Sequence, residues 1–292
     1  MKLALGTVQF GVNYGISNVN GRPSPDEIRR ILIAAEGVGV DLLDTAALYG
    51  ASEQTLGSCM QPRSQFRIVT KTPQFKAGQI DRHHAAELVK SFSASLEKLG
   101  RTSVYGLLIH QTDNLLAPGG EHLMDAMAEL KAKGLVQKIG ASVYTAEQIN
   151  KLLDRYTFDL IQLPVNVFDQ RLVKQGQLSR LKQAGVEIHA RSVFLQGLLL
   201  MQPAAMKPYF APLQALAADY QAFLVARGLT PLQGALAYVN SLQEIDYAVV
   251  GVTSQQELEE IVGAKQTLTD GSTDWSVFSC DNESMINPAV WQ

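Results

Sequence analysis

The sequence predicts an α/β protein, a single domain closed into a (β/α)8 TIM barrel, and three observations point there. Apolar, strand-like runs alternate with amphipathic helical stretches along all 292 residues. Eight such repeats follow one another with no linker or low-complexity break between them. The first strand also lacks the phosphate loop that marks an open, doubly wound sheet. Gly6-Thr7-Val8-Gln9-Phe10-Gly11 does not read Gly-x-Gly-x-x-Gly, and Gly-Lys-Ser/Thr occurs nowhere. Strands separated by helices at this spacing build a parallel sheet, and eight of them close it. Residues 1–292 are therefore one barrel, with 264–292 as a tail packed on it.

Leu3–Leu5 is the first strand, followed by a loop with Gly6, Gly11 and Gly15. Ser24 caps a helix with Pro25 in its first turn and Asp26 and Glu27 facing the positive end of the dipole. That helix turns Ile28, Ile31, Leu32 and Ala35 to one side and ends near Gly37 or Gly39. Strand two is Asp41–Leu43, with a helix from about Ser52. Strand three, Phe66–Thr70, ends at Lys71, and its helix runs from about Asp81 to Leu99 before Gly100. Strand four, Tyr105–Ile109, ends at His110; a helix spans roughly Glu121–Lys133 and stops at Gly134.

The second half keeps the rhythm. Lys138–Ala141 is strand five, and Thr145 caps the helix after it. Leu160–Leu163 is strand six, followed by one helix over about Gln170–Ala184 and strand seven at Val186–Ala190. An apolar loop, Val193–Met201, leads to helices at Leu213–Arg227 and Pro231–Ser241; it reads as packing more than as channel lining. Tyr247–Val250 is strand eight, and Ser254 caps the last helix. In the tail, Trp275, Phe278 and Trp291 read as anchors.

Composition narrows the function. A formal net charge of −3 without any Lys/Arg block argues against nucleic-acid or anionic-membrane partners. No apolar run reaches the length of a membrane span. The opening residues are too short for a signal-peptide core, so a cytoplasmic location is expected. Cys59 and Cys280 are too far apart in sequence to form a metal-type cluster, and His83-His84 has no acidic or cysteine partners in its pattern. No metal site is expected.

The chemistry gathers at strand ends. Asp44, Lys71 and His110 fall at or just past strands two, three and four, and Tyr49 lies in the loop after strand two. Barrel chemistry sits at the carboxyl ends of strands, and neighbouring strands lie roughly 5 Å apart, so the four groups can converge. A phenol has a reference pKa near ~10. An ammonium beside it lowers that value, and a carboxylate keeps the ammonium charged and fixed. Lys71 with Asp44 would tune Tyr49 as a proton donor, while His110 orients a substrate oxygen. An acid and a polarising donor aimed at one oxygen suit reduction of a carbonyl to an alcohol by hydride. Taken singly, each residue has an ordinary reading: a turn-forming Asp, a solvated Lys, a structural His, a packed Tyr.

With these residues in view, the chain resembles the aldo-keto reductase family. The likeness rests on Asp44-Thr45-Ala46 with Tyr49-Gly50, on Ser52-Glu53 and Leu56-Gly57 beyond, on Lys71 after a β-rich run, and on His110 after Leu107-Leu108-Ile109. It implies Tyr49 as general acid, Lys71 and Asp44 as its tuning pair, and His110 as the residue orienting a small-molecule carbonyl substrate. It also places Gly6 and Thr7 near a nicotinamide, and Ser142 and Gln162 against its carboxamide. Asn166 and Arg171 match a familiar segment and are assigned structural roles.

Three departures from the family pattern stand out. Val143 follows Ser142 where the family commonly has Asn. Arg191-Ser192 falls where an aromatic usually stacks on the nicotinamide; a guanidinium can stack or reach a phosphate. At the adenosine end, Gly251-Val252-Thr253-Ser254 enters a helix whose N-terminus suits an anion. Family members using NADP(H) usually carry Arg or Lys there, whereas Glu257 would repel a 2′-phosphate; the resemblance implies NADP(H) as the default, with NAD(H) the alternative. The lead motifs, with the Arg191-Ser192 and Ser142-Val143 variants, resemble reductases associated with bacterial surface-sugar biosynthesis, which implies a sugar or nucleotide-sugar substrate. Two other functions fit the same barrel: a Schiff-base lyase with Lys71 as nucleophile, and a non-catalytic subunit that holds a cofactor. The sequence leaves the oligomeric state open.

Overall fold

The computed structural model describes residues 1–18, 21–266 and 273–291. Strand parity explains its architecture. Successive side chains of a strand point to opposite faces, so in a closed sheet every second residue enters the lumen and the others meet the helices. The eight strands are β1 (Lys2–Gly6), β2 (Leu42–Asp44), β3 (Arg67–Lys71), β4 (Val104–Ile109), β5 (Val136–Ser142), β6 (Leu160–Pro164), β7 (Glu187–Arg191) and β8 (Tyr247–Gly251). All pair in parallel with their sequence neighbours, and β1 pairs β8 from Lys2↔Tyr247 to Gly6↔Gly251, closing the barrel. The expected (β/α)8 fold is therefore the observed one.

Outward residues such as Leu5, Leu43, Ile68, Leu107, Ile161 and Ile188 join the main core beneath the surrounding helices. Ala4, Leu42, Val69, Leu108 and Leu160 form a separate apolar cluster inside the barrel. Below it, the N-terminal mouth is polar. Lys138 bridges Glu187 at 2.6 Å, Tyr105 donates to both Glu187 oxygens, and buried His189 meets Glu187 at 2.8 Å. Arg67 bonds Asp41 and the Tyr247 hydroxyl, with its guanidinium 4.5 Å from the Tyr105 ring centroid.

Helix boundaries follow local chemistry. Ser24 accepts from the Glu27 N–H and opens Pro25–Gly37, which buries the four expected apolar residues. Thr145 and Thr230 cap their helices in the same way. His83-His84 is more than solvated surface: the His84 ring reaches back to the backbone N–H of Asp81 and completes a capping box for Arg82–Leu99. The single helix expected over 170–184 is two, Arg171–Lys174 and Gln177–Gln183, because Gly176 between them adopts a left-handed conformation with φ of 68°. The last helix runs on to Gln266, so the tail begins later than residue 264; residues 267–272 lie outside the described ones. Trp275 and Phe278 are buried, and Trp291 meets the Phe210 ring edge-on. Both cysteines are free.

Candidate active site

The lumen's top layer is the site. Two residues beyond Ala4, Leu42, Val69, Leu108 and Leu160 lie Gly6, Asp44, Lys71, His110 and Gln162. The same step on β5, β7 and β8 gives Ser142, Arg191 and Gly251. One strand parity thus sends eight sequence-distant residues to a single mouth. The register Gly6↔Asp44, Gly6↔Gly251 and Ser142↔Gln162 sets several of them side by side.

Lys71 Nζ donates to Asp44 Oδ1 at 2.8 Å, to Oδ2 at 2.7 Å and to the Thr45 carbonyl at 2.9 Å. Their side chains are only 1% and 5% exposed. Gln162 Nε2 donates to Asp44 Oδ1 at 2.7 Å. Asp44 therefore gathers two donors, and its second partner is Gln162, which the sequence reading assigned to the carboxamide of a nicotinamide. With one amide N–H engaged, the second N–H and the carbonyl oxygen of Gln162 remain for a ligand.

Tyr49 sits above this pair, its ring centroid 4.9 Å from Lys71 Nζ and 5.8 Å from the His110 ring, edge to face. Its loop is set by backbone contact. A Cβ on Gly11 would lie 1.7 Å from the Tyr49 carbonyl oxygen, and one on Gly50, whose φ is 57°, would lie 2.7 Å from the Gly11 oxygen. Only glycines allow these two turns to touch. Beneath them Ser52 bonds Thr7 and Thr45 through hydroxyls at 2.9 and 3.0 Å, and Thr7 donates to the Asp44 carbonyl at 2.9 Å. This buried hydroxyl knot ties β1 to the loop bearing the phenol.

The electrostatics differ from the expectation in one respect. Burial raises the Tyr49 pKa, and although Lys71 opposes it, the Asp44 charge adds to the rise. The ammonium is matched by its carboxylate, so the phenol stays a neutral proton donor. Burial pulls Lys71 down, but Asp44 outweighs it and holds the amine protonated. Burial, then Lys71, lower His110 to about 4, so its imidazole is neutral across the physiological range. Its Nδ1 is buried without a partner.

A cavity of about 690 Å³ opens here. Of the residues singled out in the sequence, Asp44, Tyr49, His110, Gly6, Thr7, Ser142, Gln162, Arg191, Ser192, Gly251, Thr253 and Glu257 line it. Lys71 lies behind Asp44 instead, and Ser254 turns away to accept the Glu257 N–H at 3.1 Å. Gln9, Tyr14, Tyr144, Gln196, Glu260 and Pro288 also line the cavity, and sequence reasoning missed them. All but Glu260 sit in loops or in helical turns of six residues or fewer, too short to show a periodic signal. The apolar loop after β7 divides its labour: Leu195, Leu198 and Leu199 pack, while Phe194, Gln196 and Leu200 face the cavity. Asn166 and Arg171 are structural, Asn166 donating to the Ser192 carbonyl and Arg171 bridging Asp169. Among the described residues no cluster could hold a metal ion, and no helix is long and apolar enough to cross a membrane.

A barrel with an Asp–Lys pair, a phenol and an imidazole at one mouth defines a class. The aldo/keto reductase family model matches residues 2–273, and the chain belongs to that family, an NAD(P)H-dependent oxidoreductase. The chain is 28% identical to L-galactose dehydrogenase of Arabidopsis thaliana over 98% of its length and 92% of that protein's. It is 30% identical to aldo-keto reductase YhdN of Bacillus subtilis over 48% of this chain and 44% of that one. The match to YhdN thus spans less than two thirds of that relative's own length. Among solved structures, the holo form of aldo-keto reductase AKR11C1 from Bacillus halodurans superposes with a TM-score of 0.77 at 18% identity, covering 100% of this chain and 94% of that one. Glycerol dehydrogenase AKR11B4 from Gluconobacter oxydans gives 0.71 at 20% identity over 98% and 92%.

Proposed function

We propose that the protein reduces a small carbonyl compound to its alcohol, with Tyr49 as the general acid. The observation that carries this reading is the neutral, buried phenol standing 4.9 Å over an ammonium that Asp44 holds protonated. A phenol with no ammonium near it would resist giving up its proton; here the developing phenolate meets a fixed positive charge. His110, neutral and within ring contact of Tyr49, orients the carbonyl oxygen. Lys71 is the anchor of this arrangement rather than a nucleophile, because a protonated amine with three acceptors cannot attack a carbonyl. That weighs against the lyase alternative.

The residues present fit a nicotinamide dinucleotide. The cavity is of ligand size and runs from Tyr49 and His110 to Thr253 and Glu257, with the unpartnered His110 Nδ1 at one end. Ser142 and the Gln162 amide are the groups on hand for a carboxamide, and Gly6, Thr7 and Gly251 line the same cavity. When bound, the cofactor supplies the hydride. The chain's own part is to hold the carbonyl, exclude water and deliver the proton from Tyr49 Oη.

NADH suits this chain better than NADPH. Glu257 accepts from the Thr253 N–H at 2.6 Å and from its hydroxyl at 3.0 Å, while Glu27 accepts from the Gln255 N–H at 2.7 Å. The helix start that would clamp a 2′-phosphate is thus filled by the chain's own carboxylates. A carboxylate there accepts from ribose hydroxyls instead.

Tyr49→Phe tests the reading. It should lower kcat by about 10²–10⁴-fold, the usual reach of general acid catalysis, with NADH affinity in fluorescence titration nearly intact. A non-catalytic cofactor-binding barrel would be indifferent to the change, and an unchanged kcat would end the proposal.

A further inference from the structure

Around the cavity, Asp44 is ion-paired with Lys71, whereas Glu257 and Glu260 accept hydrogen bonds from the neutral Thr253 and Gln256. Among the described residues that line the cavity, Arg191 is the one Lys or Arg. It is half-buried, and no carboxylate among the described residues forms an ion pair with it. Its Nη2 donates to the Val143 carbonyl at 3.2 Å, and its guanidinium carbon lies 4.1 Å from the Tyr144 ring centroid. Its Nε is buried with no acceptor at all. A cation withdrawn from water without a counter-charge is costly, and a fork of guanidinium donors matches the two oxygens of a carboxylate or phosphate.

We propose that Arg191 is the anion-recognition residue of the substrate site, and that the substrate is a carbonyl compound bearing a carboxylate or phosphate close to its C=O. This rests on the reductase reading above and specifies its substrate class. Arg191 acts at the proton-donor end of the cavity. It ends β7 in the same layer of the lumen as Asp44 and His110 and lines the cavity together with Tyr14, Tyr49 and His110; its charge opposes the burial that raises Tyr14 and Tyr49. An anion bound to Arg191 therefore shares the cavity with the carbonyl that Tyr49 protonates. Tyr14 completes the subsite: its hydroxyl accepts from Gln196 Nε2 at 3.2 Å, which leaves its own proton free to donate to the anion.

The test compares matched aldehydes with and without charge: succinic semialdehyde against butanal for the carboxylate, D-glyceraldehyde 3-phosphate against D-glyceraldehyde for the phosphate. Initial rates of NADH consumption are read for the wild type, Arg191→Met and Arg191→Lys. The wild type should favour the charged member of one pair at least tenfold in kcat/KM, and the pair it favours identifies the anion. Arg191→Met should bring that preference to within about twofold of none, through KM, and Arg191→Lys should restore part of it. A wild type with no preference in either pair overturns the proposal. So does an Arg191→Met variant that weakens both members equally, or one whose defect is in NADH binding by fluorescence titration, which would assign Arg191 to a cofactor phosphate. Calorimetric titration with succinate and with inorganic phosphate needs no turnover. Binding that is lost in Arg191→Met supports the subsite, and binding that is unchanged refutes it. If none of the four aldehydes is reduced, it is the reductase reading that fails, and the titration still judges Arg191.

Discussion

Replacing Lys71 by Met removes an ammonium and keeps an unbranched side chain of nearly the same length. The cost follows from burial. Lys71 and Asp44 are 1% and 5% exposed, so Asp44 would remain as a carboxylate shut away from water with only the Gln162 amide to satisfy it. Stranding one partner of a buried pair costs about 3–5 kcal/mol. For a chain of this size, each kcal/mol lowers the melting temperature by roughly 2–4 °C, so a fall on the order of 10 °C is expected. The second variant decides between causes. Asp44→Asn added to Lys71→Met leaves two neutral groups, and should regain at least half of the lost melting temperature.

Activity should not follow stability in that pair. Both variants lack the charge under the Tyr49 ring, so both should show kcat reduced by about 100-fold or more. Calorimetric melting and steady-state kinetics on the wild type, the single and the double variant provide the comparison. Lys71→Met melting within ~2 °C of wild type, well short of the fall expected for a stranded partner, would refute the reasoning, as would a double variant no more stable than the single. A double variant that recovers turnover would show that the ammonium has no part in proton delivery. The pair has a pH signature too. Asp44 holds the Lys71 pKa above its ordinary value, so the contribution is complete below pH ~10.5 and disappears only as pH rises through the folded value.

His110 titrates near 4 in the fold against an ordinary 6.5, so the unfolded chain binds the extra proton in between. Its contribution is complete above pH ~6.5 and is lost as pH falls toward 4, a slope that His110→Gln should flatten in melting curves taken across that window. At the opposite mouth, burial alone would raise Glu187, but bonds from His189 and Lys138 dominate and hold it at about 2. Glu187→Gln should therefore destabilise the fold at neutral pH by about 1–3 kcal/mol, a penalty that shrinks as pH falls from ~4.5, where the unfolded carboxylate protonates, toward the folded value of about 2; equal denaturant midpoints at pH 7 would contradict it. For the cofactor, Glu257→Lys should shift the kcat/KM ratio from NADH toward NADPH by tenfold or more. A wild type that already prefers NADPH would reverse this view of the helix start.

The barrel was legible because buried parallel strands are apolar-rich, as in β4, VYGLLI, and β8, YAVVG, and because they recur between helical stretches; β5, VQKIGAS, and β7, EIHAR, carry polar residues. Their ends are less sharp in sequence. Asp44 is the last residue of β2 where the reading ended the strand at Leu43, since a carboxylate looks like a turn until its lumen partner Lys71 is known. The break at Gly176 was missed for a related reason: its flanks keep helical periodicity, and only the positive φ separates the two helices. Tyr49, Lys71 and His110 could be found because each sits at a strand end. Tyr14 and Gln196 could not, because they meet across the cavity from loops 182 residues apart.

The chain's departures from the family pattern are where its own chemistry becomes readable. Arg191 at the end of β7, where the family usually has an aromatic, puts on the cavity wall a cation with no ion-pair partner among the described residues. Exchanging a cation for Glu257 after β8 fills donors that a phosphate would otherwise take. The two changes have opposite sign at opposite ends of one cavity, 690 Å³ in volume. Negative charge is turned away where a cofactor's adenosine would lie and invited where a substrate meets Tyr49. A neutral sugar would make no use of that polarity; an acidic one would.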